Sequence, residues 1–251
     1  MSVRKKIYGI PDLVLFPSLM ACPGCQHPTI GRIAAEALME LDIDGRAIAI
    51  MGVGCTGALL PMTNIDLILP AHGRGPDAAT AIKRIHPDTI VWSIQGDGDC
   101  IAIGAGPFIG ALTRGEKITI IMGNNTNYGT TGGQMSPTTV TGQLTTTSPK
   151  GRNAEFEGYP THTAELAATF NGCAYSARGS LTSPANYKKT KRYIKTAFQK
   201  QIDNVGLSFV EVISACPVNW HKTPVECIKW IEDTVLKELP LGEFKNIDRI
   251  E

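Results

Sequence analysis

Side chains with oxygen ligands follow two apolar runs in the middle of the chain. Asp97 lies in a Gly-Asp-Gly triplet directly after TIVWSIQ (89–95), and Asn125 follows the run ITIIMG (118–123). A helix-compatible segment separates the runs, so the order is strand, helix, strand. The carboxyl ends of parallel strands share one edge of a sheet, where ligands collect. A carboxylate and an amide oxygen at that edge suit Mg²⁺, and the flanking glycines let the backbone approach a diphosphate closely.

The spacing of these residues resembles the thiamine diphosphate motif, in which a GDG triplet precedes an asparagine. Here residues 99–124 separate the triplet from Asn125. The resemblance implies that Asp97 and the Asn125 side chain bind Mg²⁺, and that the carbonyl of Asn127 is a third ligand. The alternative is a plain turn, because isolated triplets of this kind are common in loops.

Length and composition predict one large α/β domain over residues 1–251. Hydrophobic residues make up 43% of the chain and charged residues 19%, and no Pro/Gly/Ser-rich linker divides it. A formal net charge of +1 gives no electrostatic case for binding nucleic acid or an acidic membrane. No apolar run reaches the roughly 18 residues of a membrane span, and no signal-peptide apolar region follows the charged start MSVRKK. We therefore expect a cytoplasmic protein.

The seven cysteines fall into two groups. Their odd number argues against a secreted disulfide framework, and clustered thiols in a reducing compartment more often bind metal. Three lie within apolar patterns, where cysteine behaves as a small hydrophobe: Cys100, Cys173 and Cys227. Four lie in Gly/Pro-containing turns at segment boundaries: Cys22, Cys25, Cys55 and Cys216. Four thiolates match a 4Fe-4S cluster or a structural zinc, and a set without metal is the third alternative.

Cys22 and Cys25 form a CxxC motif, which also occurs in redox-active disulfides. Thioredoxin-type motifs follow a strand, whereas the segment before Cys22 carries Pro17 and no clear strand, so redox exchange is the weakest interpretation. Zinc sites usually contain two close pairs of ligands. Here there is one pair, and Cys55 and Cys216 are distant in sequence, so any site closes across the tertiary fold.

Two histidines and one arginine are further candidates. His72 and Arg74 lie in a Gly-flanked loop, where we expect catalytic residues that face a phosphate or a carboxylate. The alternative is that they cap a helix or pair with a neighbour. His27 follows the CxxC motif at the start of a helix, where it either tunes a site or is a packed or capping residue.

Hydrophobic periodicity predicts an α/β fold, with a mostly parallel sheet and helices on both faces. The predicted strands cover residues 47–52, 65–70, 89–95, 118–123, 173–177 and 208–214, the last with alternating polarity. The predicted helices cover residues 27–39, 76–84, 163–170, 186–201 and 223–236. Residues 1–19 and 240–251 are predicted to be arms.

A Thr/Ser/Gly-rich segment runs from Tyr128 to about Gly158. A loop of this length without periodicity is usually a binding loop or a lid, and disorder is the alternative. Because its first part, Tyr128 to Gln134, follows the proposed Mg²⁺ ligands, we expect that part to be ordered around a cofactor.

Taken together, the motifs resemble those of one known family. CPGCQHP, MGVGC, HGRG, GDGD, NNTNYGTTGGQ and CPVNW occur in this order between about Cys22 and Lys245. They resemble the thiamine diphosphate-binding β subunit of the 2-oxoacid:ferredoxin oxidoreductases. The resemblance implies a thiamine diphosphate-binding fold and a catalytic subunit of a heteromer. It also implies oxidative decarboxylation of a 2-oxoacid, with the acyl group passing to coenzyme A and single electrons passing to ferredoxin.

The resemblance also implies which residues hold the cofactors. The four turn cysteines hold a 4Fe-4S cluster near thiamine diphosphate, and this chain supplies the diphosphate-binding half of the cofactor site. A glutamate that hydrogen-bonds the aminopyrimidine comes from a partner subunit, and the partners are an α subunit and γ and δ subunits or their fusion. The residues expected to bind thiamine diphosphate are Cys55, His72, Gly96, Asp97, Gly98, Asp99, Asn125, Asn127, Tyr128, Gly129 and Thr130.

Substrate identity is the least determined part of the resemblance. The segments CPVNWHKTPVECIKW and LPLGEFK look closest to the branched-chain (2-oxoisovalerate) branch, with 2-oxoglutarate as the alternative. Some relatives carry a lysine three residues after the third cluster cysteine, where this chain has Ala58. Many also carry a histidine and an Arg-Arg pair after GDGD, where this chain has residues 108–110 (FIG) and 113–114 (TR).

Two other functions use some of the same residues. A thiamine diphosphate decarboxylase subunit of the sulfopyruvate or phosphonopyruvate kind needs the Mg²⁺ residues but no cluster. A non-catalytic α/β subunit that binds a nucleotide through a glycine loop, with cysteines on structural zinc, leaves the spacing of Asp97 and Asn125 unexplained.

Overall fold

A mostly parallel sheet of seven strands forms the centre of the computed structural model, which describes residues 9–15, 21–57 and 63–250. The strands are β1 (Ala47–Met51), β2 (Asp66–Ile68), β3 (Ile90–Gly96), β4 (Thr119–Asn124), β5 (Cys173–Ser180), β6 (Leu207–Ile213) and β7 (Gly242–Asn246). Their spatial order is β2, β1, β3, β4, β6, β5, β7, and only β7 runs antiparallel to its neighbour. The chain continues from β1 to β2 on one side of the sheet and from β3 to β4 on the other. The loops after β1 and β3 therefore diverge and leave a crevice between them.

Helices connect these strands in chain order. They are α1 (His27–Glu40), α2 (Gly75–Ile85), α3 (Ala105–Arg114), α4 (Ala154–Glu157), α5 (Thr163–Ala168), α6 (Pro184–Ile202), α7 (Pro217–Trp220), α8 (Pro224–Trp230) and α9 (Leu236–Glu238). A π-helical turn, Asp99–Ile103, precedes α3, and a second one, Ile231–Val235, joins α8 to α9. The helix starts follow capping rules, since the Ser183 side chain accepts a hydrogen bond from Asn186 N and Pro184 occupies the first turn of α6.

Apolar side chains form a core on each face of the sheet. On one face, α1 and α6 pack against alternate strand residues, and Trp92 of β3 meets Phe198 of α6 edge-on at 5.9 Å. On the other face, α2, α3 and α5 pack against the intervening residues, where Phe108 meets Phe209 at 5.1 Å. Strands that are buried on both faces require nearly continuous apolar sequence, which is why apolar runs predicted them.

Two strands of the C-terminal third show features that the sequence did not predict. Residues 208–214 alternate in polarity, yet every residue of β6 is buried, including Glu211. The predicted terminal arm, residues 240–251, contains β7, which closes the edge of the sheet beside β5. The alternation at Glu211 arises from a buried ion pair rather than from a solvent-facing side chain.

The remaining predicted elements lie within a few residues of the observed ones, and both the α/β fold and the helices on both faces are confirmed. Most of the predicted arm 1–19 and the departure at Ala58 lie outside the described residues. Among the residues that are described, no helix has the length and apolar character needed to cross a membrane.

Candidate functional site

A cleft opens at the carboxyl end of the sheet, in the crevice between the loops after β1 and β3. All eleven residues expected to bind thiamine diphosphate line it, from Cys55 and His72 to the 96–99 and 125–130 segments. His27, Val53, Gly54, Thr56 and Thr131 complete the lining. Arg74 is not among these residues, since it lies beside Asp77 at 3.7 Å and donates to the carbonyl of Ile103 at 3.3 Å.

Three oxygen acceptors converge where β3 and β4 end. The side-chain oxygen of Asn125 lies 2.7 Å from the carbonyl oxygen of Asn127 and 3.2 Å from Oδ1 of Asp97. Acceptors at these distances repel one another unless the amide turns to donate to both or a cation lies among them. Because a carboxylate, an amide oxygen and a carbonyl are ligands suited to a hard cation, this set fits Mg²⁺.

Hydroxyl groups from the long loop hold the carboxylate of Asp97. Ser136 Oγ and Thr138 Oγ1 each lie 2.6 Å from Oδ2, on the side away from the converging oxygens. Burial raises the pKa of Asp97 to about 6, although the hydrogen bonds from Ser136 and Thr138 act in the opposite direction. The structure therefore keeps one carboxylate oxygen available to a ligand while the other is bound by protein.

A strained turn brings Asn125 and Asn127 together. The residue between them, Thr126, has φ = 56°, a left-handed conformation that is costly for a β-branched side chain. Its N–H donates to Oδ1 of Asn124 at 2.9 Å, and its carbonyl accepts from Thr139 Oγ1 at 2.6 Å. These bonds fix the turn that directs the Asn125 side chain and the Asn127 carbonyl to one point.

Arg152 orders the long loop from inside. This buried guanidinium donates to six backbone carbonyls at distances of 2.5 to 3.4 Å: those of Ser136, Pro137, Thr139, Glu157, Gly158 and Tyr159. Because these carbonyls come from two separate parts of the loop, near residues 136–139 and 157–159, one side chain holds the two parts together. The loop is therefore an ordered support for Asp97, not a disordered segment, and nothing in its low-complexity sequence identifies Ser136 or Thr138 as that support.

Glycine at position 98 makes room for the Tyr128 ring. A Cβ at Gly98 would lie 2.1 Å from Cε1 of Tyr128, closer than any real contact. The tyrosine therefore covers the GDG triplet at van der Waals distance only because no side chain is present there. Both residues line the cleft.

His72 is oriented by a buried carboxylate. Its Nδ1 contacts Oδ1 of Asp99, which also accepts the backbone N–H of Gly73 at 2.8 Å. The other oxygen of Asp99 accepts from Gln95 Nε2 at 2.7 Å. Asp99 is thus bound by protein on both oxygens, and it holds the imidazole of His72 at the cleft wall with Nδ1 engaged.

Two buried polar side chains of the cleft lack partners among the described residues. Both ring nitrogens of His27 and the hydroxyl of Thr56 have no hydrogen-bond partner. Burial lowers the pKa of His27 to about 4, so its imidazole is neutral near pH 7. They pack over Gly123, where a Cβ would lie 2.9 Å from Thr56 Cγ2 and 3.1 Å from the imidazole. Unsatisfied buried groups cost about 1–3 kcal/mol each, so these atoms fit a cleft that receives a polar ligand.

The four turn cysteines line a second cavity, next to the cleft. Burial, with contributions from the nearby thiols of Cys216, Cys55 and Cys22, raises the pKa of the Cys25 thiol to about 12. In the described part of the chain, no three His, Cys, Asp or Glu side chains lie close enough to hold a single metal ion. Four thiols around one cavity supply the number of ligands that a 4Fe-4S cluster or a structural zinc requires. The other three cysteines are buried and free.

The two cavities share a wall. Five residues line both of them: Gly54, Cys55, Asn125, Gly129 and Thr130. Cys55 Sγ lies 3.0 Å from Thr130 Oγ1, so the third turn cysteine contacts the cofactor loop directly. The sequence predicts both sets of residues, but their contact depends on the fold.

Residues 41–212 match the family described as thiamine pyrophosphate enzyme, C-terminal TPP binding domain, the pyrophosphate being another name for the diphosphate. Ketoisovalerate oxidoreductase subunit VorA of Methanothermobacter thermautotrophicus is 38% identical over 225 residues, which cover 90% of this chain and 47% of that protein. The chain thus spans about half the length of this relative. 2-Oxoglutarate synthase subunit KorB of Methanocaldococcus jannaschii is 32% identical, with 92% of this chain and 88% of that protein covered.

A solved structure shares the fold. It is described as 2-oxoglutarate:ferredoxin oxidoreductase from Magnetococcus marinus with 2-oxoglutarate, coenzyme A and succinyl-CoA bound. The TM-score is 0.76 at 22% sequence identity, over 96% of this chain and 86% of that one. The domain match and the relatives above 30% identity agree with the order of motifs in the sequence. The chain therefore belongs to the thiamine diphosphate-binding subunits of the 2-oxoacid:ferredoxin oxidoreductase family.

Proposed function

We propose that this chain is the β subunit of a heteromeric 2-oxoacid:ferredoxin oxidoreductase that forms an acyl-CoA. The observation that carries the proposal is the wall shared by the cofactor cleft and the four-thiol cavity. A non-redox decarboxylase has no use for four thiols beside its cofactor. An enzyme that passes electrons from a decarboxylated substrate to ferredoxin needs an acceptor at that place.

Asp97, Asn125 and the carbonyl of Asn127 would hold Mg²⁺, and through it the diphosphate of thiamine diphosphate. When bound, this cofactor supplies the electron sink for decarboxylation of a 2-oxoacid. Ser136 and Thr138 keep the Asp97 carboxylate oriented, and the strained turn at Thr126 keeps the two asparagines in place. The protein thus orders these ligands before Mg²⁺ and the cofactor bind.

Cys22, Cys25, Cys55 and Cys216 would hold the 4Fe-4S cluster, which supplies one-electron transfer. Of these four, Cys55 is the one that lines both cavities, and its sulfur contacts Thr130 of the cofactor loop. His72 lines the cleft with Nδ1 bound to Asp99, which leaves Nε2 as the nitrogen that exchanges a proton there. Arg74 as a catalytic residue stays a prediction, and its place outside the cleft lining does not support it.

The aminopyrimidine half of the cofactor site would come from an α subunit, with γ and δ subunits or their fusion completing the complex. A branched-chain 2-oxoacid is the proposed substrate, because identity to the ketoisovalerate relative is 38% and to the 2-oxoglutarate relative 32%.

The test uses the complex purified anaerobically with its partner subunits. We expect about four iron and four acid-labile sulfide per chain, bound thiamine diphosphate and Mg²⁺, and an EPR signal after reduction. Coenzyme A-dependent reduction of ferredoxin should be faster with 2-oxoisovalerate than with 2-oxoglutarate. The Asp97→Ala variant should lose Mg²⁺-dependent cofactor binding but retain iron, and Cys100→Ser, a buried thiol outside both cavities, is the matched control.

Each outcome separates one part of the proposal. Protein without iron that still binds thiamine diphosphate would be a non-redox decarboxylase subunit. Faster turnover of 2-oxoglutarate would move the chain to the other branch. Full turnover by the isolated chain would contradict the need for a partner.

A further inference from the structure

Asparagine side chains reach Cys216 from the cofactor side. Nδ2 of Asn219 lies 3.3 Å from Sγ of Cys216. The backbone of Asn219 and the side chain of Asn127 also lie near this thiol and lower its pKa, against the larger, raising effect of burial. In the described part of the chain, Cys216 is the turn cysteine whose sulfur accepts a hydrogen bond from an amide side chain.

The same asparagine also holds the cofactor loop. Nδ2 of Asn219 donates to the carbonyl of Gly129 at 3.0 Å, and Gly129 lines both cavities. The loop packs tightly on this side chain, since a Cβ at Gly133 would lie 2.9 Å from Cβ of Asn219. The amide therefore has little freedom to turn away from the sulfur.

We infer that Asn219 is a positioning residue that sets the reduction potential of the cluster and couples it to the cofactor loop. The inference rests on the proposed function, which places a 4Fe-4S cluster on Cys216. Hydrogen bonds to a ligand sulfur stabilise the reduced cluster, which carries one more negative charge, more than the oxidised cluster. Donation from Asn219 therefore raises the potential and favours electron transfer away from the cofactor.

The same bond has a geometric consequence. A shift of residues 129–133 on cofactor binding would move the carbonyl that shares Nδ2 with the sulfur. The strength of the bond to Cys216 would then change with the state of the cleft. Asn219 thus provides a direct physical link between the two sites, and the sequence offered only its place in the CPVNW motif as a signal.

The test is an EPR-monitored redox titration of the complex, in which the oxidised cluster takes up one electron from dithionite through mediator dyes. Asn219→Asp keeps the shape of the side chain and replaces the donor with an acceptor, and Asn219→Ala removes it. The control is Trp220→Phe in the same helix, which removes a 3.2 Å hydrogen bond to the Asn125 carbonyl and leaves the described hydrogen bonds to the sulfur in place. We expect a more negative midpoint potential in both Asn219 variants, most negative for Asp, and no shift in the control.

The other outcomes overturn the inference in distinguishable ways. An unshifted potential with full iron content in the Asn219 variants would remove the tuning role. An equal shift in Trp220→Phe would assign the effect to movement of α7. Loss of iron from both Asn219 variants would mean that the residue has a structural role. If only the Ala variant loses iron, the midpoint potential of the Asp variant decides whether Asn219 tunes the cluster. Absence of iron from the wild-type complex would refute the proposed function itself.

Discussion

Thr138 and Asp97 are 41 residues apart in sequence, and their side chains meet in a hydrogen bond of 2.6 Å. The same hydroxyl lies 2.9 Å from Oδ1 of Asn124, so its single proton is shared between two acceptors at the ends of β3 and β4. One residue of a low-complexity loop thereby connects the proposed Mg²⁺ ligand to the strand that carries its partners.

Replacing Thr138 with valine should weaken Mg²⁺ binding about tenfold, the usual order for a residue that orients a metal ligand. Without the hydroxyl, the buried carboxylate of Asp97 is less stabilised in its charged form, so protonation competes more strongly with the metal. Calorimetric titration of the complex with Mg²⁺ and thiamine diphosphate would measure the change. Thr113→Val, the same substitution on an exposed helix face, should leave the affinity unchanged, and an equal loss in both variants would argue against the role of Thr138.

Gly98→Ala should impair cofactor binding without unfolding the protein. The added methyl group would lie 2.1 Å from the Tyr128 ring, so the ring must leave its place over the GDG triplet. Gly106→Ala is the matched control, because nothing lies within 4 Å of its Cβ position. Thermal unfolding and thiamine diphosphate titration of both variants would separate the effects. Normal cofactor affinity in Gly98→Ala would show that the tyrosine is not part of the site.

Cys216→Ser and Cys227→Ser should differ in iron content, although the two thiols are close enough for one to affect the pKa of the other. Cys216 lines the four-thiol cavity, whereas Cys227 is buried in α8 with its thiol 3.8 Å from the Lys222 carbonyl. We expect lost or damaged cluster only in Cys216→Ser, measured as iron and sulfide per chain. Equal iron loss in both would mean that the assignment of four turn cysteines is wrong.

Local sequence predicted the parts of this fold that depend on local rules. Apolar runs identified strands such as β3 because both faces of the sheet are covered, and the GDG triplet and the asparagines identified the cleft because parallel strands end at one edge. The strand predicted from sequence ended at Ala177, one residue before Arg178. That arginine continues β5, fully buried, because Glu211 in the neighbouring strand neutralises it. A partner in another strand has no local signal.

The same limit explains what the sequence did not reveal about the site. Ser136, Thr138 and Asn219 act through contacts with residues far along the chain, and a Thr/Ser-rich loop or a CPVNW motif does not specify which hydroxyl or amide is used. The three thiols in apolar patterns are buried as predicted, because burial follows such patterns, but Cys216, which was predicted to lie in a turn, is buried as well. Their choice between zinc and a cluster depends on spacing in three dimensions, which the sequence leaves open.

The ion pairs of Arg178 predict how stability depends on pH. Arg178 Nε donates to Glu211 at 2.8 Å and Nη1 donates to Glu165 at 2.8 Å. Arg178→Met would leave Glu211 charged and unpaired in the sheet, which costs about 3–5 kcal/mol of unfolding free energy. Denaturant unfolding at pH 7 would measure it, and a loss below 1 kcal/mol would show that the pair is dispensable.

Glu165 gives the pH dependence its sign. Burial would raise the pKa of this carboxyl, but the hydrogen bond and charge of Arg178 outweigh burial and lower it below the ordinary 4.5. In the unfolded chain Glu165 binds its proton at higher pH than in the folded chain. Its contribution to the free energy of unfolding is therefore complete above about pH 4.5 and is lost as the pH falls further. Glu165→Gln cannot ionise, so its unfolding free energy should fall less steeply below pH 4.5 than that of the wild type. Glu155→Gln, an exposed control in α4, should retain the wild-type slope, and identical slopes in all three proteins would place the acid sensitivity elsewhere.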